Sequence, residues 1–361
     1  MKKKIVSALL CVAMIATMVT GCGGSKSSST SGNADSTAKQ FEINAAIAAN
    51  PPALDPHTVN ANVTGAIGIH IYEALFQMDE NYEPQPVLAE SYEMSDDGKE
   101  YTIKLRQGVK FHNGDEMKAD DVVASMNRWI ELSPKAKTLI GGSVFEKVDD
   151  YTVKLTVNEP SSDIIMVLAS PIQFAAIYPK SVVDSASDEG VKEYIGTGPY
   201  KVAEWKQDQY VKLEKNEDYQ PAEGKSSGLA GAKNAQADTI TFNIVTDTAT
   251  RIAGVQNGQY DIAEDIPADQ YKDLAADKNL TMDVRSGGTL NLFLNTTEGV
   301  MADEKVRQAA LAALNCDDIL MASYGDADLY KLNAGWCNPD DAQWGTEAGS
   351  EYYNQNDVEK A

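Results

Sequence analysis

Asp97-Gly98-Lys99-Glu100-Tyr101-Thr102-Ile103-Lys104-Leu105-Arg106-Gln107-Gly108-Val109-Lys110-Phe111-His112-Asn113-Gly114 is the most informative stretch of the chain. Asp97-Gly98 is a strong turn signal, because glycine enters the positive-φ backbone that tight turns need. Behind it, Tyr101, Ile103 and Leu105 alternate with Thr102, Lys104 and Arg106. That period of two predicts a strand with one apolar and one polar face. A second unit of this kind starts at Asp149-Asp150 and continues through Tyr151-Thr152-Val153-Lys154-Leu155-Thr156-Val157. Between the two lies an amphipathic helix. Val122, Val123, Met126, Trp129 and Ile130 share one face, and Asp120 and Asp121 sit in its first turn, where the helix dipole favours acid.

Working outward, Phe41 to Ile47 alternates as a strand that Asn50-Pro51-Pro52 ends. A small-residue loop follows Ala53-Leu54-Asp55-Pro56-His57. Ile67, Ile71, Tyr72 and Leu75 then recur at helical spacing. Tyr210-Val211-Lys212-Leu213 and Thr239 to Ile244 read as strands. Thr248 to Gln256 reads as a helix capped by Asp247 and stopped by Gly258. Asp303 to Leu314 reads as another, with Val306, Ala310, Leu311 and Leu314 on its apolar face. Strands mixed with helices predict an α/β or α+β protein. At 361 residues the chain suits two or three domains.

These stretches resemble, in order, the peptide/nickel-type extracellular solute-binding proteins (family 5) that serve ABC importers. The resemblance rests on Ala53 to His57, Ile71-Tyr72-Glu73-Ala74-Leu75, Pro86 to Tyr92, Asp97 to Gly114 and Ala119-Asp120-Asp121-Val122. It continues through Ile195-Gly196-Thr197-Gly198-Pro199-Tyr200, Gln256 to Asp261 and Lys305-Val306-Arg307-Gln308-Ala309. It implies an α/β, two-lobed periplasmic-binding-protein fold of type II character with an extra subdomain. By matching positions, lobe I covers 41–72 and 197–285, the extra subdomain 73–196, and the start of lobe II 286–361. The match breaks off inside lobe II at Asp357-Val358-Glu359-Lys360-Ala361, so the second lobe is expected to be incomplete in this chain. Residues 312–317 also depart from the family pattern, with an expected effect on local packing alone.

The resemblance further implies capture without chemistry: a peptide held in a cleft between lobes and handed to a membrane permease with a cytoplasmic ATPase. A nickel chelate, an opine or an oligosaccharide are alternative cargoes. The loop after the Asp-Pro-His stretch lines the cleft in relatives. Asn60, Ala61, Asn62 and Thr64 are therefore candidate ligand contacts, since small residues admit a ligand backbone and the amides and hydroxyl can bond it. Thr289 and Asn291, at the crossing into lobe II, are candidates too. Thr197, Gly198, Gly287 and Gly288 are candidate hinge residues.

The N-terminus carries an address. Lys2-Lys3-Lys4 precedes the apolar run Ile5 to Val19, which is too short to span a bilayer. Val19-Thr20-Gly21-Cys22 resembles the lipobox of bacterial lipoproteins, so 1–21 is expected to be a signal peptide and Cys22 the lipidated residue. The Gly/Ser run over 22–40 reads as a flexible tether. An extracytoplasmic, lipid-anchored monomer is expected. The formal net charge of −23 argues against nucleic acid as a partner, because phosphate binding needs a basic face. Once Cys11 and Cys22 are set aside, Cys316 and Cys337 either pair or stay free. His57, His70 and His112 have no metal-ligand spacing, so neither metal nor cofactor is expected. No G-x-S-x-G, H-E-x-x-H or phosphate-binding glycine loop occurs, which disfavours an anchored hydrolase.

Overall fold

The computed structural model describes residues 40–187, 189–285, 288–335 and 345–361. Gly287, Cys22 and Cys337 therefore lie outside the described residues. In chain order the elements are β1 (Glu42–Ile47), α1 (Asn62–Ile71), β2 (Phe76–Met78), β3 (Pro84–Pro86), β4 (Ala89–Met94), β5 (Glu100–Leu105), α2 (Ala119–Leu132), α3 (Pro134–Ile140), β6 (Val144–Asp149) and β7 (Thr152–Thr156). Next come α4 (Ile164–Leu168), α5 (Lys180–Asp184), β8 (Tyr200–Lys206), β9 (Tyr210–Lys215), β10 (Thr239–Ile244), α6 (Thr248–Gln256) and β11 (Ile262–Ala263). The last helices are α7 (Tyr271–Ala275), α8 (Glu304–Ala313) and α9 (Cys316–Tyr324).

The alternation around Asp97-Gly98 produces what it predicts. β4 and β5 pair antiparallel across a turn in which Gly98 adopts φ +69° and its N–H donates to the Ser95 carbonyl at 2.9 Å. β6 and β7 form a second antiparallel pair, and the four strands join in the order β4-β5-β7-β6. Tyr101, Ile103, Leu105, Val153 and Leu155 all point to one buried face. The apolar face of α2 covers it, with Val122, Met126 and Trp129 fully buried. Asp121 caps this helix by accepting from the Lys118 backbone at 2.9 Å, and it also accepts from the Lys180 backbone at 2.7 Å.

A second sheet has the order β11-β1-β10-β9-β8. Here β1 runs parallel to both β10 and β11, joining segments about two hundred residues apart in sequence. Local periodicity gave β1, β9 and β10 but no register for them, and it missed β8 and β11. The core on this sheet contains Leu54, Ile67, Ile71, Tyr72, Tyr178, Val211 and Leu213. Phe174, Ala176 and Tyr178 belong to it, whereas Ala175 and Ile177 belong to the core of the four-stranded sheet. One extended segment thus feeds both cores by simple alternation. Helix α1 starts at Asn62 and stops at Ile71, so Tyr72 and Leu75 lie beyond it, and its spacing signal ran one turn too far. The Thr289-Leu290-Asn291 segment belongs to no strand.

Candidate functional site

The loop between β1 and α1 is fixed by a buried polar network at its start. Asp55 is 1% exposed and accepts from Arg128 of α2 through Nη2 at 2.6 Å and Nη1 at 3.3 Å. It also accepts from the Tyr178 hydroxyl at 2.8 Å, the Val191 N–H at 3.1 Å and the His57 N–H at 3.1 Å. Burial pushes the Asp55 carboxyl pKa up, but Arg128, His57 and Tyr178 together outweigh it and hold it below the ordinary value. The His57 ring is tied at both ends, with Nε2 2.9 Å from the Ala176 carbonyl and Nδ1 3.1 Å from Arg128 Nη1. A carbonyl can only accept, so Nε2 carries the proton and Nδ1 accepts from the guanidinium. Burial, reinforced by Arg128 and opposed by Asp55, pushes the His57 pKa down to about 4 and keeps the ring neutral near pH 7. In this way the Asp-Pro-His stretch is locked to α2 and to the 174–178 segment.

What this lock holds in place is a cavity of about 190 Å³. One side is the loop and first turns of α1: Pro56, Val59, Asn60, Ala61, Asn62, Gly65, Ala66 and Ile69. The other is Pro171, Ile172 and Gln173, with Leu229 from the long β9–β10 connection. The second side is anchored too. Trp129 Nε1 donates to the Gln173 carbonyl at 2.7 Å, Ser133 Oγ donates to Gln173 Oε1 at 3.2 Å, and Lys135 Nζ donates to Ser170 Oγ. No charged side chain lines the cavity. Amides, prolines and small apolar groups make a surface suited to a ligand's backbone.

Of the candidate contacts, Asn60, Ala61 and Asn62 line this cavity. Thr64 is fully buried and its hydroxyl donates to the Ala53 carbonyl at 2.6 Å, so it braces the loop from behind. Thr289 and Asn291 are exposed, bond each other, and do not line the cavity. Pro171, Ile172, Gln173 and Leu229 carry no signal in the sequence that points to this place. They reach it only through long-range packing, more than a hundred residues from Asn60.

Thr197 and Gly198 act in the structure as a tight crossing. The Thr197 hydroxyl donates to Glu73 Oε2 at 2.9 Å, and Tyr219 donates to Oε1 at 2.8 Å. Lys233 lies 3.8 Å from the same carboxylate and donates to Gln77 at 3.0 Å. The Gly198 N–H donates to the Ile71 carbonyl at 2.9 Å, and a Cβ at Gly198 would sit 2.6 Å from the His70 carbonyl oxygen. Glycine is needed there for close approach. Gly288 differs: it has φ +119° and open space around it. Among the described residues no group of three or more His, Cys, Asp or Glu side chains is placed to hold a metal ion. Nor, among them, is any helix long and apolar enough to cross a membrane. Among the described residues Cys316 has no disulfide partner.

Residues 83–361 match the family profile described as bacterial extracellular solute-binding proteins, family 5 Middle. The chain belongs to this family. It is 34% identical over 288 residues to the glutathione-binding protein GsiB of Salmonella paratyphi A, covering 78% of this chain and 54% of that protein. The chain thus spans about half the length of the curated relatives it matches. Its fold superposes on that of the periplasmic binding protein AgaA of A. tumefaciens R10, solved with agropinic acid, at a TM-score of 0.72 and 28% identity. That match covers 88% of this chain and 62% of AgaA. The ABC transporter substrate-binding protein CtaP of Listeria monocytogenes matches with a TM-score of 0.70 and 25% identity, over 88% of this chain and 63% of its own. The mixed α/β architecture is therefore that of periplasmic binding proteins.

Proposed function

We propose that this protein is the solute-binding subunit of an ABC importer, that it captures peptides without chemistry, and that the cavity beside Asn60–Asn62 is part of its ligand cleft. The observation that carries the reading is the make-up of that cavity. In a chain with net charge −23, a wall free of charged side chains offers amides and small residues on a rigidly anchored loop. Such a surface accepts an extended backbone and leaves side chains room. The glutathione-binding relative supports a short peptide as cargo. The agropinic acid complex of AgaA favours an opine as the second reading.

The rest of the proposal rests on the family and lipobox resemblances. Lobe I comprises 41–72 and 197–285, the inserted subdomain 73–196, and lobe II begins at 286, with closure over the ligand pivoting near Gly287-Gly288. Cys22 carries the lipid that keeps the protein outside the cytoplasm, next to its permease, as a monomer. The test is a thermal-shift panel on the intact mature protein with dipeptides, glutathione, opines, nickel-histidine and sugars. A ligand that binds only the folded state adds about 2.7 kcal/mol at a hundred times its Kd. Midpoint shifts with peptides support the reading. Shifts with opines, nickel or sugars alone overturn the cargo and leave the importer class standing.

A further inference from the structure

We propose that the N-terminus of α1 and the side-chain amide of Gln173 together form a subsite for a carboxylate of the ligand, an inference that rests on the peptide-capture reading above. Helix α1 begins after Ala61, which has no side chain to cap it, and its first turn holds no acid. The first backbone N–H of the helix with a partner is that of Gly65, which donates to the Ala61 carbonyl at 3.1 Å. The N–H groups of Asn62, Val63 and Thr64 have no acceptor among the described residues. They form the positive end of a ten-residue helix whose first residue, Asn62, lines the cavity, with the buried Thr64 behind it. Such an end favours an anion.

Gln173 points to the same ligand independently. It is 9% exposed and lines the cavity from the opposite side. Its carbonyl is taken by Trp129 and its Oε1 by Ser133, which leaves Nε2 as the free end of an oriented carboxamide. Nε2 has no partner among the described residues, and the residue that carries it lines the cavity. Asn62 at the helix end and Gln173 opposite thus bring unused donors to the walls of one cavity that no charged side chain lines. A carboxylate supplies acceptors to both sets.

The experiment is calorimetric titration of the intact protein with glutathione, which has two free carboxylates, and with glutathione amidated at both. Three variants accompany the wild type. Gln173→Glu keeps an acceptor for Ser133 but sets a negative charge against the anion. Asn62→Pro removes one N–H at the first helical position, where proline is tolerated. Ala61 before it already has an extended backbone that accepts a following proline. Asn62→Ala controls for the lost side chain. We expect the acid to bind about tenfold or more tighter than the amide. We expect Gln173→Glu to abolish that gap, and Asn62→Pro to narrow it more than Asn62→Ala does. Equal affinity of acid and amide overturns the subsite while leaving peptide capture intact. A gap that survives in both Gln173→Glu and Asn62→Pro also overturns it, since the carboxylate is then read elsewhere. Binding of neither form overturns glutathione as cargo and the subsite with it, and the peptide reading then stands or falls with the dipeptides of the thermal-shift panel.

Discussion

Residues 40–285 and residues 288–361 obey the same local rules and end in different states. The first region has two cores, in which Trp129, Tyr72, Tyr178 and Phe145 are almost completely buried. In the second, Ala312 is the single buried apolar residue among those described. Helices α8 and α9 are still well formed, capped by Asp303 at 2.8 Å and Asn315 at 3.1 Å. Val306 and Leu311 of α8 and Ile319 and Met321 of α9 are exposed, as are Leu290, Leu292 and Phe293. Helix signals are local and are honoured in both regions. Burial needs a partner surface, and among the described residues those of the first region supply one for each other.

The largest effect expected from this contrast is at Arg128. Arg128→Ala leaves Asp55 buried without its cation and should cost about 3–5 kcal/mol in urea unfolding. It should also loosen the Asn60–Asn62 loop that Asp55 anchors, so ligand affinity should fall with stability. Next is Ile103→Ala under the four-stranded sheet, expected to cost about 2–5 kcal/mol. Acid should follow. The folded-state pKa of His57 is about 4, below the unfolded value, so the unfolded chain takes up the proton first as pH falls. The stability His57 contributes is whole above about pH 6.5 and is lost as pH falls toward 4, about 2 kcal/mol of it by pH 5. His70 and His112, each pushed by burial to about 4, act in the same direction. Thermal midpoints between pH 7 and 5 check the sign. Thr197→Val, which removes one donor from buried Glu73, should cost about 1–3 kcal/mol. The smallest effect is expected at Leu311→Ala in α8, below about 0.5 kcal/mol in this 361-residue chain. A loss there equal to that of Ile103→Ala would mean that α8 is packed as tightly as the four-stranded sheet.

The same division explains what the sequence disclosed. β5, β7, β10, α2 and α6 were legible because alternation, periodicity and caps act within a dozen residues. The Asp-Pro-His stretch was legible as a resemblance, but its work was not. Asp55 meets Arg128, Tyr178 and Val191 only through the fold, and no spacing announces that meeting. Asn60, Ala61 and Asn62 entered as candidates through the resemblance, and the fold sets all three on the wall of one cavity. Gln173 carried no signal because its place depends on Trp129, which read simply as helix face, and on Ser133, which the sequence reading did not single out. Thr64 was read as a ligand contact from its hydroxyl, and the structure spends that hydroxyl on the Ala53 carbonyl.

Hydrogen exchange of the intact protein with and without glutathione reads out whether ligand meets the Asn60–Asn62 loop and the facing Pro171–Gln173 segment. Capture at the anchored wall predicts slowed exchange in 56–69 and 170–174 on saturation, with the β5–β7 pairing unchanged. Saturable binding that leaves both of those segments at their free rates would contradict it.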